Sequence, residues 1–337
     1  MSVTSSVALG TYNGAQYVGE QLASILGGSV LPTEIVVSDD GSTDTTLTEV
    51  REALREAERR GIRTQIIEGR AGGVTANFAR AIAACSSEVV VLCDQDDRWH
   101  TSRLASALHA FEADATLLFQ HANAALVDGA GSDLDLTLFE ALSVRPEDRE
   151  RINAGEAFEV YLRRNLATGA TVAFRRSLLE AAAPLPAEWV HDEWLAMIAA
   201  ALGSGTGAST VAVTDAVLID YRQHGSNQIG VAKPTLLYRI QRMLGTDPNR
   251  NRLLATRSRI LAKKLAELDG VSAERRELAE AKARFELHRA TMPPGHLARI
   301  PAVWRASRGG GYQRFASQGS LDILRDLLQT GRAGSSL

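Results

Sequence analysis

Three times in its first hundred residues the chain repeats one arrangement, a short strand-like run, a polar loop and a stretch with helical spacing. Val3 to Leu9 leads through Gly10-Thr11-Tyr12-Asn13-Gly14 into Ala15 to Leu26, where Tyr17, Val18, Leu22, Ile25 and Leu26 recur at helical intervals. Strand Glu34 to Val37 leads through Ser38-Asp39-Asp40-Gly41-Ser42-Thr43-Asp44 into helix Thr45 to Arg60 and strand Thr64 to Ile67. Helix Asn77 to Ala84 then precedes strand Glu88 to Cys93. Strands alternating with helices require right-handed crossovers, so the expectation is an α/β fold with a mostly parallel sheet and helices on both faces. Ligands of such sheets bind at the carboxyl ends of the strands.

Three loops therefore meet on one rim: 10–14, 39–44 and 94–99. The last begins Asp94-Gln95-Asp96-Asp97, directly after the apolar Val89-Val90-Val91-Leu92-Cys93. Three carboxylates at one strand exit repel one another, and hard oxygen ligands there suit Mg²⁺ or Mn²⁺ carrying phosphate oxygens. Alone, the segment also reads as a solvated acidic turn before the helix that starts near Thr101. Ser42 or Thr43 reads as the N-cap of the helix that follows the second loop, which leaves Asp39 and Asp40 unexplained beside a second acidic cluster.

Further along, Thr116 to Gln120 is strand-like, and Val127 to Asp135 is polar and rich in Gly and Asp. The small-residue stretch Thr168-Gly169-Ala170-Thr171-Val172-Ala173-Phe174-Arg175 enters a strand, followed by a short helix over 177–183 closed by Pro184 and Pro186. Val190-His191-Asp192-Glu193-Trp194-Leu195 opens an apolar helix running to about Leu202, with Asp192 where a helix dipole favours a carboxylate, as an N-cap or as a chemical group. Strand Val211 to Asp220 leads to Tyr221-Arg222-Gln223-His224-Gly225-Ser226-Asn227. From Thr235 the spacing is helical: 236–244, then 249–290 broken by Gly270, then short basic and apolar pieces over 300–305 and 321–328.

Taken together, these segments resemble family 2 glycosyltransferases with a GT-A fold, and bacterial rhamnosyltransferase-like members in particular. The resemblance rests on Thr11-Tyr12-Asn13-Gly14, Ser38 to Asp44, Asn77-Phe78, Asp94 to Trp99, Thr168-Gly169, His191 to Trp194 and Tyr221 to Asn227, in the family's order over roughly the first 230 residues. It implies a Rossmann-like GT-A domain over 1–230 with a basic, mainly helical accessory region over 231–337, and an inverting, metal-dependent transfer from a nucleotide-sugar donor. Donor contacts then fall to Thr11, Tyr12, Asn13, Asp40, Asn77, Asp94 and Gln95, with the Tyr12 ring stacking on the nucleobase and Asp40 accepting one of its N–H groups. Asp96 and His224 become ligands of Mn²⁺ or Mg²⁺, Asp192 the general base, and Trp99, Thr168, Gly169, His191, Glu193 and Trp194 the sugar and acceptor side. The sequence departs from the family pattern at Glu193, at Arg98 and at Gly27-Gly28. A fold that set Asp96 and Asp192 apart would exclude the whole assignment.

Composition adds limits. Only two cysteines, Cys85 and Cys93, lie in apolar segments, which reads as core filler in a reducing compartment. No apolar window reaches about 18 residues, and the first residues lack signal-peptide character, so a cytoplasmic location is expected, with peripheral contact on the inner membrane face through the basic helices. From Val231 onward the chain carries 20 Lys and Arg against 9 Asp and Glu, out of 37 and 40 in all. Such a basic helical tail reads by default as a solvated face, and otherwise as a surface for a partner or for anionic headgroups. The expected partners are a dTDP- or UDP-sugar, with dTDP-rhamnose the first to test, and a glycan or lipid-linked acceptor of surface polysaccharide synthesis; nucleic acid is not expected. A sugar-phosphate nucleotidyltransferase would need a basic Gly-rich loop after the first strand, and 10–14 holds no Lys or Arg. A silent scaffold of the same fold would have no use for Asp96, Asp192 and His224 together.

Overall fold

A computed structural model describes residues 3–69, 71–203, 209–224 and 249–328. The expected helix over 236–244 and the Gly225-Ser226-Asn227 end of the last loop lie outside the described residues. Two compact units are present: residues 1–157 with 166–231, and residues 158–165 with 232–337.

The first unit is a mixed sheet flanked by helices, in line with the α/β expectation. Its strands are β1 (Ser5–Thr11), β2 (Glu34–Asp39), β3 (Arg63–Glu68), β4 (Val89–Asp94), β5 (Arg98–Trp99), β6 (Phe119–Val127), β7 (Asp133–Thr137), β8 (Ala173–Arg175) and β9 (Val211–Arg222). They stand in the order β3-β2-β1-β4-β8-β6-β9-β5, with β7 beside β6. β3, β2, β1 and β4 are mutually parallel; β8 is antiparallel to β4 and β6, and β9 is parallel to β6. Strands β1, β2 and β4 are buried almost throughout, which is why they lack polar alternation.

Helices α1 (Val18–Leu26), α2 (Thr46–Arg59), α3 (Val74–Ala84) and α4 (Arg103–Ala113) lie close to their expected bounds. In α2, Thr46, Val50, Leu54 and Ala57 form the buried stripe that a helical period demands. After β6 come α5 (Leu138–Ala141), α6 (Pro146–Arg151), α7 (Ala157–Arg163), α8 (Leu178–Ala182) and α9 (His191–Ala201). Every residue of α9 except Glu193 is buried, so it is a core helix whose amino end carries polar groups. The register places Gly10 opposite Asp94 and Thr11 opposite Asp39, so the three rim loops leave adjacent strands at one level.

The second unit takes in α7 from residue 158 on and holds α10 (Arg250–Glu267), α11 (Ala273–Ala290), α12 (His296–Arg308), α13 (Gly311–Phe315) and α14 (Ser320–Leu328). α10 and α11 are joined through Gly270, at φ 79°, and Ser272, whose hydroxyl accepts the Arg275 N–H as an N-cap. Their charges are not all solvated. Arg289 donates to Glu286 and Asp326, Lys282 donates to Glu286 and to the Phe315 carbonyl, and Arg325 donates to Asp322, all in the interior. Three of the tail's acids, Glu286, Asp322 and Asp326, thus pair with cations inside the helical core, while Arg252, Arg259, Lys263, Arg305 and Arg308 are exposed.

Candidate active site

Asp39 and Asp40 are neighbours with opposite tasks. Asp39 Oδ1 accepts the Gly41 and Ser42 N–H groups (3.0 and 2.7 Å), and its Oδ2 accepts the Thr11 and Ser42 hydroxyls (2.7 and 2.6 Å). With both oxygens taken by its own loop and β1, it is a fastener. Asp40 reaches the other way and accepts Gly72 N–H (2.9 Å), Gly73 N–H (2.8 Å) and Arg80 Nη2 (2.5 Å). Desolvation works to raise its pKa, but the Gly72, Gly73 and Arg80 hydrogen bonds and the Arg80 charge outweigh it and hold the carboxyl below the usual range. A nucleobase N–H at Asp40 would join or replace these donors.

The expected caps at Ser42 and Thr43 are corrected by the structure. Ser42 Oγ accepts the Asn13 N–H (2.8 Å), and Asn13 Oδ1 accepts the Thr43 N–H (2.8 Å), so the first two loops clasp each other. Helix α2 starts after Thr45 without a side-chain cap, while Asp44 accepts the Thr46 N–H (3.0 Å). Asn13 itself sits at φ 45°, a left-handed conformation that asparagine tolerates.

Gln95 does the same for the third loop. Its Oε1 accepts the Tyr12 N–H (2.9 Å) and its Nε2 donates to the Tyr12 carbonyl (3.0 Å), as a strand neighbour would. That pairing leaves the Tyr12 ring 54% exposed on the rim. Thr11 is buried with its hydroxyl on Asp39, and Asn77 is buried with Nδ2 on the Thr11 carbonyl (3.0 Å) and Oδ1 on Arg80. Of the seven expected donor contacts, Thr11, Asn13, Asn77 and Gln95 thus spend their polar atoms on shaping the rim.

The carboxylates form the centre. Burial pushes Asp94 up to about 8, and the negative charges of Asp96 and Asp192 add to it. Burial likewise drives Asp97 well up, with Asp94 and Asp96 adding, although its Oδ1 accepts the Arg222 N–H (3.0 Å). Asp97 Oδ2 is a buried acceptor with no hydrogen-bond partner. His224 Nε2 lies 2.8 Å from Asp96 Oδ2, and its ring stacks on Tyr17 at 5.1 Å. Asp192, in the first turn of α9, is buried, and its Oδ1 accepts the Glu193 N–H (2.7 Å). Asp192 therefore comes from α9 into the same electrostatic pocket as the 94–97 loop, two segments a hundred residues apart in sequence.

The residues fit a divalent cation in one respect: Asp94, Asp96 and Asp97 crowd together beside the His224 ring, and a bound cation would relieve the repulsion between their carboxylates. Asp96 and His224 would hold it. Among the described residues, no group of three or more His, Cys, Asp or Glu side chains is arranged to hold a metal ion.

Around Asp192, Gly169 lies so close that a Cβ there would stand 3.4 Å from His191 Nε2 and 3.5 Å from Asp192 Oδ2. Thr168 is buried and its carbonyl accepts from Thr171 (2.8 Å), which holds this turn. His191 is buried and stacked on Phe78 (4.2 Å, 15°), and its ring nitrogens have no hydrogen-bond partner. Burial pushes His191 down to about 3, so it is neutral at pH 7. Glu193 is half-buried beside it. Two expected acceptor-side residues are buried aromatics. Trp99 is in the main core under the Arg103 guanidinium (5.5 Å), and Trp194 is 1% exposed with Nε1 on the Ala182 carbonyl (2.7 Å). Both rings do the packing expected of large apolar bodies that can satisfy one polar atom.

Two arginines had gone without a role in the sequence analysis. Arg222 donates from Nε to the Asp96 carbonyl (2.8 Å), from Nη1 to the Gly129 carbonyl (3.2 Å) and from Nη2 to Glu20 (2.7 Å), and lies 4.9 Å over the Tyr17 ring. It braces both Asp96 and the ring under His224. Arg80 follows Asn77 by one helical turn, a spacing that marks it as a same-face neighbour.

Residues 6–181 match the family described as Glycosyl transferase family 2. An uncharacterized glycosyltransferase of Nostoc sp. is 28% identical over 228 residues, covering 66% of this chain and 65% of that protein. The dTDP-rhamnosyl transferase RfbG of Shigella flexneri is 31% identical over 118 residues, 34% of this chain and 38% of that one. The chain thus spans less than two-thirds of the length of these relatives. Among solved structures, S. aureus TarS 1-349 in complex with UDP-GlcNAc is similar at TM-score 0.55 and 17% identity, covering 96% of this chain and 90% of that one. The mannosyltransferase PcManGT of Pyrobaculum calidifontis, in complex with GDP-Man and Mn²⁺, is similar at TM-score 0.52 and 20% identity, covering 92% and 76%. The fold is that of the GT-A glycosyltransferases. With that family match extending over more than half of its residues, the chain belongs to glycosyl transferase family 2.

Proposed function

We propose that this protein transfers a sugar, with inversion, from a nucleotide-diphosphate donor to a hydroxyl of a glycan acceptor. The observation that supports the reading is that the charge of Asp192, on α9, reaches Asp94 together with that of Asp96, so that carboxylates from α9 and from the end of β4 act on one another. In the reaction the acceptor oxygen bonds to the anomeric carbon, the bond from that carbon to the diphosphate breaks, and the acceptor proton passes to Asp192. That transfer requires the carboxylate within about 3 Å of the hydroxyl. The Glu193 N–H holds Asp192 Oδ1 and so fixes the plane of the carboxylate. Asp96 and His224 would hold Mn²⁺ or Mg²⁺, which when bound supplies Lewis-acid stabilisation of the leaving diphosphate. The solvent-facing Tyr12 ring is the stacking platform for the nucleobase.

The RfbG relative makes dTDP-rhamnose the first donor to test; UDP- and GDP-sugars follow, as the ligands of the structurally similar TarS and PcManGT. We assign catalysis to residues 1–230 and an accessory role to 231–337. The acceptor is a lipid-linked glycan of bacterial surface polysaccharide, met at the cytoplasmic membrane face. The test is a donor screen by thermal shift with Mn²⁺, followed by transfer assays. Asp192→Asn should abolish transfer with donor binding nearly intact, and Asp96→Ala should weaken donor binding only when metal is present. A folded protein that stabilises with no nucleotide sugar, or an Asp192→Asn variant with wild-type turnover, would overturn the proposal.

A further inference from the structure

Helix α14 is built inside out. It has leucines at 321, 324 and 328 and charges at 322, 325 and 326, and the pattern alone would turn the leucines inward. The structure turns the charges inward. Asp322 and Asp326 are 0% exposed, whereas Leu321, Leu324 and Leu328 are 42% to 48% exposed. The cause is pairing: Asp326 accepts from Arg289 Nε (2.6 Å), Asn251 Nδ2 (3.0 Å) and the Tyr312 hydroxyl (2.8 Å), and Asp322 accepts from Arg325 (2.9 Å) and the Gln318 N–H (2.9 Å). Rotating the helix would strand these carboxylates and the cations that hold them.

Its neighbour α12 also turns apolar groups outward. The two are tied by Arg299 Nη1 donating to the Asp326 carbonyl (2.9 Å) and by His296 Nδ1 at 2.8 Å from the Leu327 carbonyl. Leu297, Ile300 and Trp304 recur at three- and four-residue steps on α12, with Leu297 82% and Trp304 58% exposed. Arg308 lies 4.8 Å over the Trp304 ring. Asp322 and Asp326 are the only acids between Thr291 and Leu328, and both are buried. The exposed charges of that stretch are cationic, from Arg305, Arg308 and Arg314.

We propose that α12 and α14 form a docking face for an anionic phospholipid bilayer. Leucine, isoleucine and tryptophan side chains enter the boundary between headgroups and acyl chains, while the arginines reach the phosphates. A second copy of the same face is the poorer occupant, since self-pairing sets arginine against arginine with no exposed acid to receive it. The inference deepens the proposed reading by giving the lipid-linked acceptor a membrane-side enzyme. It is read without donor or acceptor, so its failure leaves the transfer chemistry standing.

The full chain is floated with vesicles of phosphatidylcholine, alone or with about 30 mol% phosphatidylglycerol. Binding is expected to the anionic vesicles and to weaken as NaCl rises from about 0.05 to about 0.5 M. Leu324→Glu and, separately, Ile300→Glu should each lower partition about tenfold or more with donor binding unchanged. Arg305→Gln with Arg308→Gln, which leaves the apolar rows whole, should lower partition to anionic vesicles by about tenfold or more. The fluorescence lost in Trp304→Phe should be the part that shifts to the blue on binding. Wild-type protein that stays out of the anionic vesicle fraction, or Leu324→Glu and Arg305→Gln/Arg308→Gln variants that float as well as wild type, would overturn the proposal. So would a wild-type dimer that Leu324→Glu splits while neither form floats.

Discussion

Gly14 gives the sharpest test of how the rim is held. A Cβ at this position would stand 2.1 Å from Gln95 Oε1 and 2.3 Å from its Cδ, so Gly14→Ala cannot coexist with the Gln95 side chain as placed. The backbone around Gly14 is itself anchored, with its N–H on Thr46 Oγ1 (2.8 Å) and its carbonyl receiving the Tyr17 and Val18 N–H groups (3.0 Å each). The flexible partner must therefore yield, and when the Gln95 amide leaves it gives up both bonds to the Tyr12 backbone. At about 1 kcal/mol per hydrogen bond, Gly14→Ala should cost about 2 kcal/mol, and Gln95→Ala about the same. The double variant has neither the clash nor the bonds, so it should also cost about 2 kcal/mol rather than the additive 4 or so. Urea unfolding of the four proteins measures the cycle, and calorimetric titration with nucleotide should show a matching loss of affinity in all three variants, because each releases Tyr12. An additive cycle, or Gly14→Ala within about 0.5 kcal/mol of wild type, would refute the reasoning.

Two further perturbations test the charge arrangement. His191 is held down to about 3 by burial against an unfolded value of 6.5, so the unfolded chain takes up a proton first and stability falls as the pH drops below 6.5. Compared with His191→Phe, which keeps the ring on Phe78, wild type should lose about 2 kcal/mol more between pH 7 and pH 5, read from paired denaturation curves; parallel curves would contradict the assignment. Arg80→Met removes a cation bonded to Asp40, whose carboxyl lies below its ordinary 3.8, and should cost about 2 kcal/mol at pH 7. Because a depressed carboxylate contributes fully above its unfolded pKa and loses that contribution as pH falls on through its lower folded pKa, the difference should shrink as pH falls below 3.8, and a pH-independent loss would point to packing instead.

The strands β1, β2 and β4 and the three rim loops were legible because parallel strands covered on both faces read as apolar runs whose polar ends can only be loops. Asp96, Asp192 and His224 could be singled out as candidates because each is a chemical residue at an element end. What those loops do with their side chains was not legible. Asp39 and Asp40 are adjacent and identical in type, yet one fastens the loop and the other faces Arg80, a distinction set by the direction of each side chain. Trp99 and Trp194 carried family motifs and are buried, which the sequence did not show, since an aromatic ring suits a packed or an exposed place until its neighbours are known. β5 has two residues and β8 three, too short for any period to show.

The amino-acid sequence by itself determined the elements and their order, because backbone propensity and hydrophobic period act within a few residues. It also placed the polar groups of the candidate site at strand ends. Tertiary structure alone decided which groups meet: that Asp192 enters the pocket of Asp94 and Asp96, that Gln95 imitates a strand partner for Tyr12, and that α14 turns its leucines outward. The physical reason is that groups far apart along the chain, as Gln95 is from Tyr12, Asp326 from Arg289 and Asp192 from Asp94, come near one another only in the packed fold, where a buried charge or amide must find a partner.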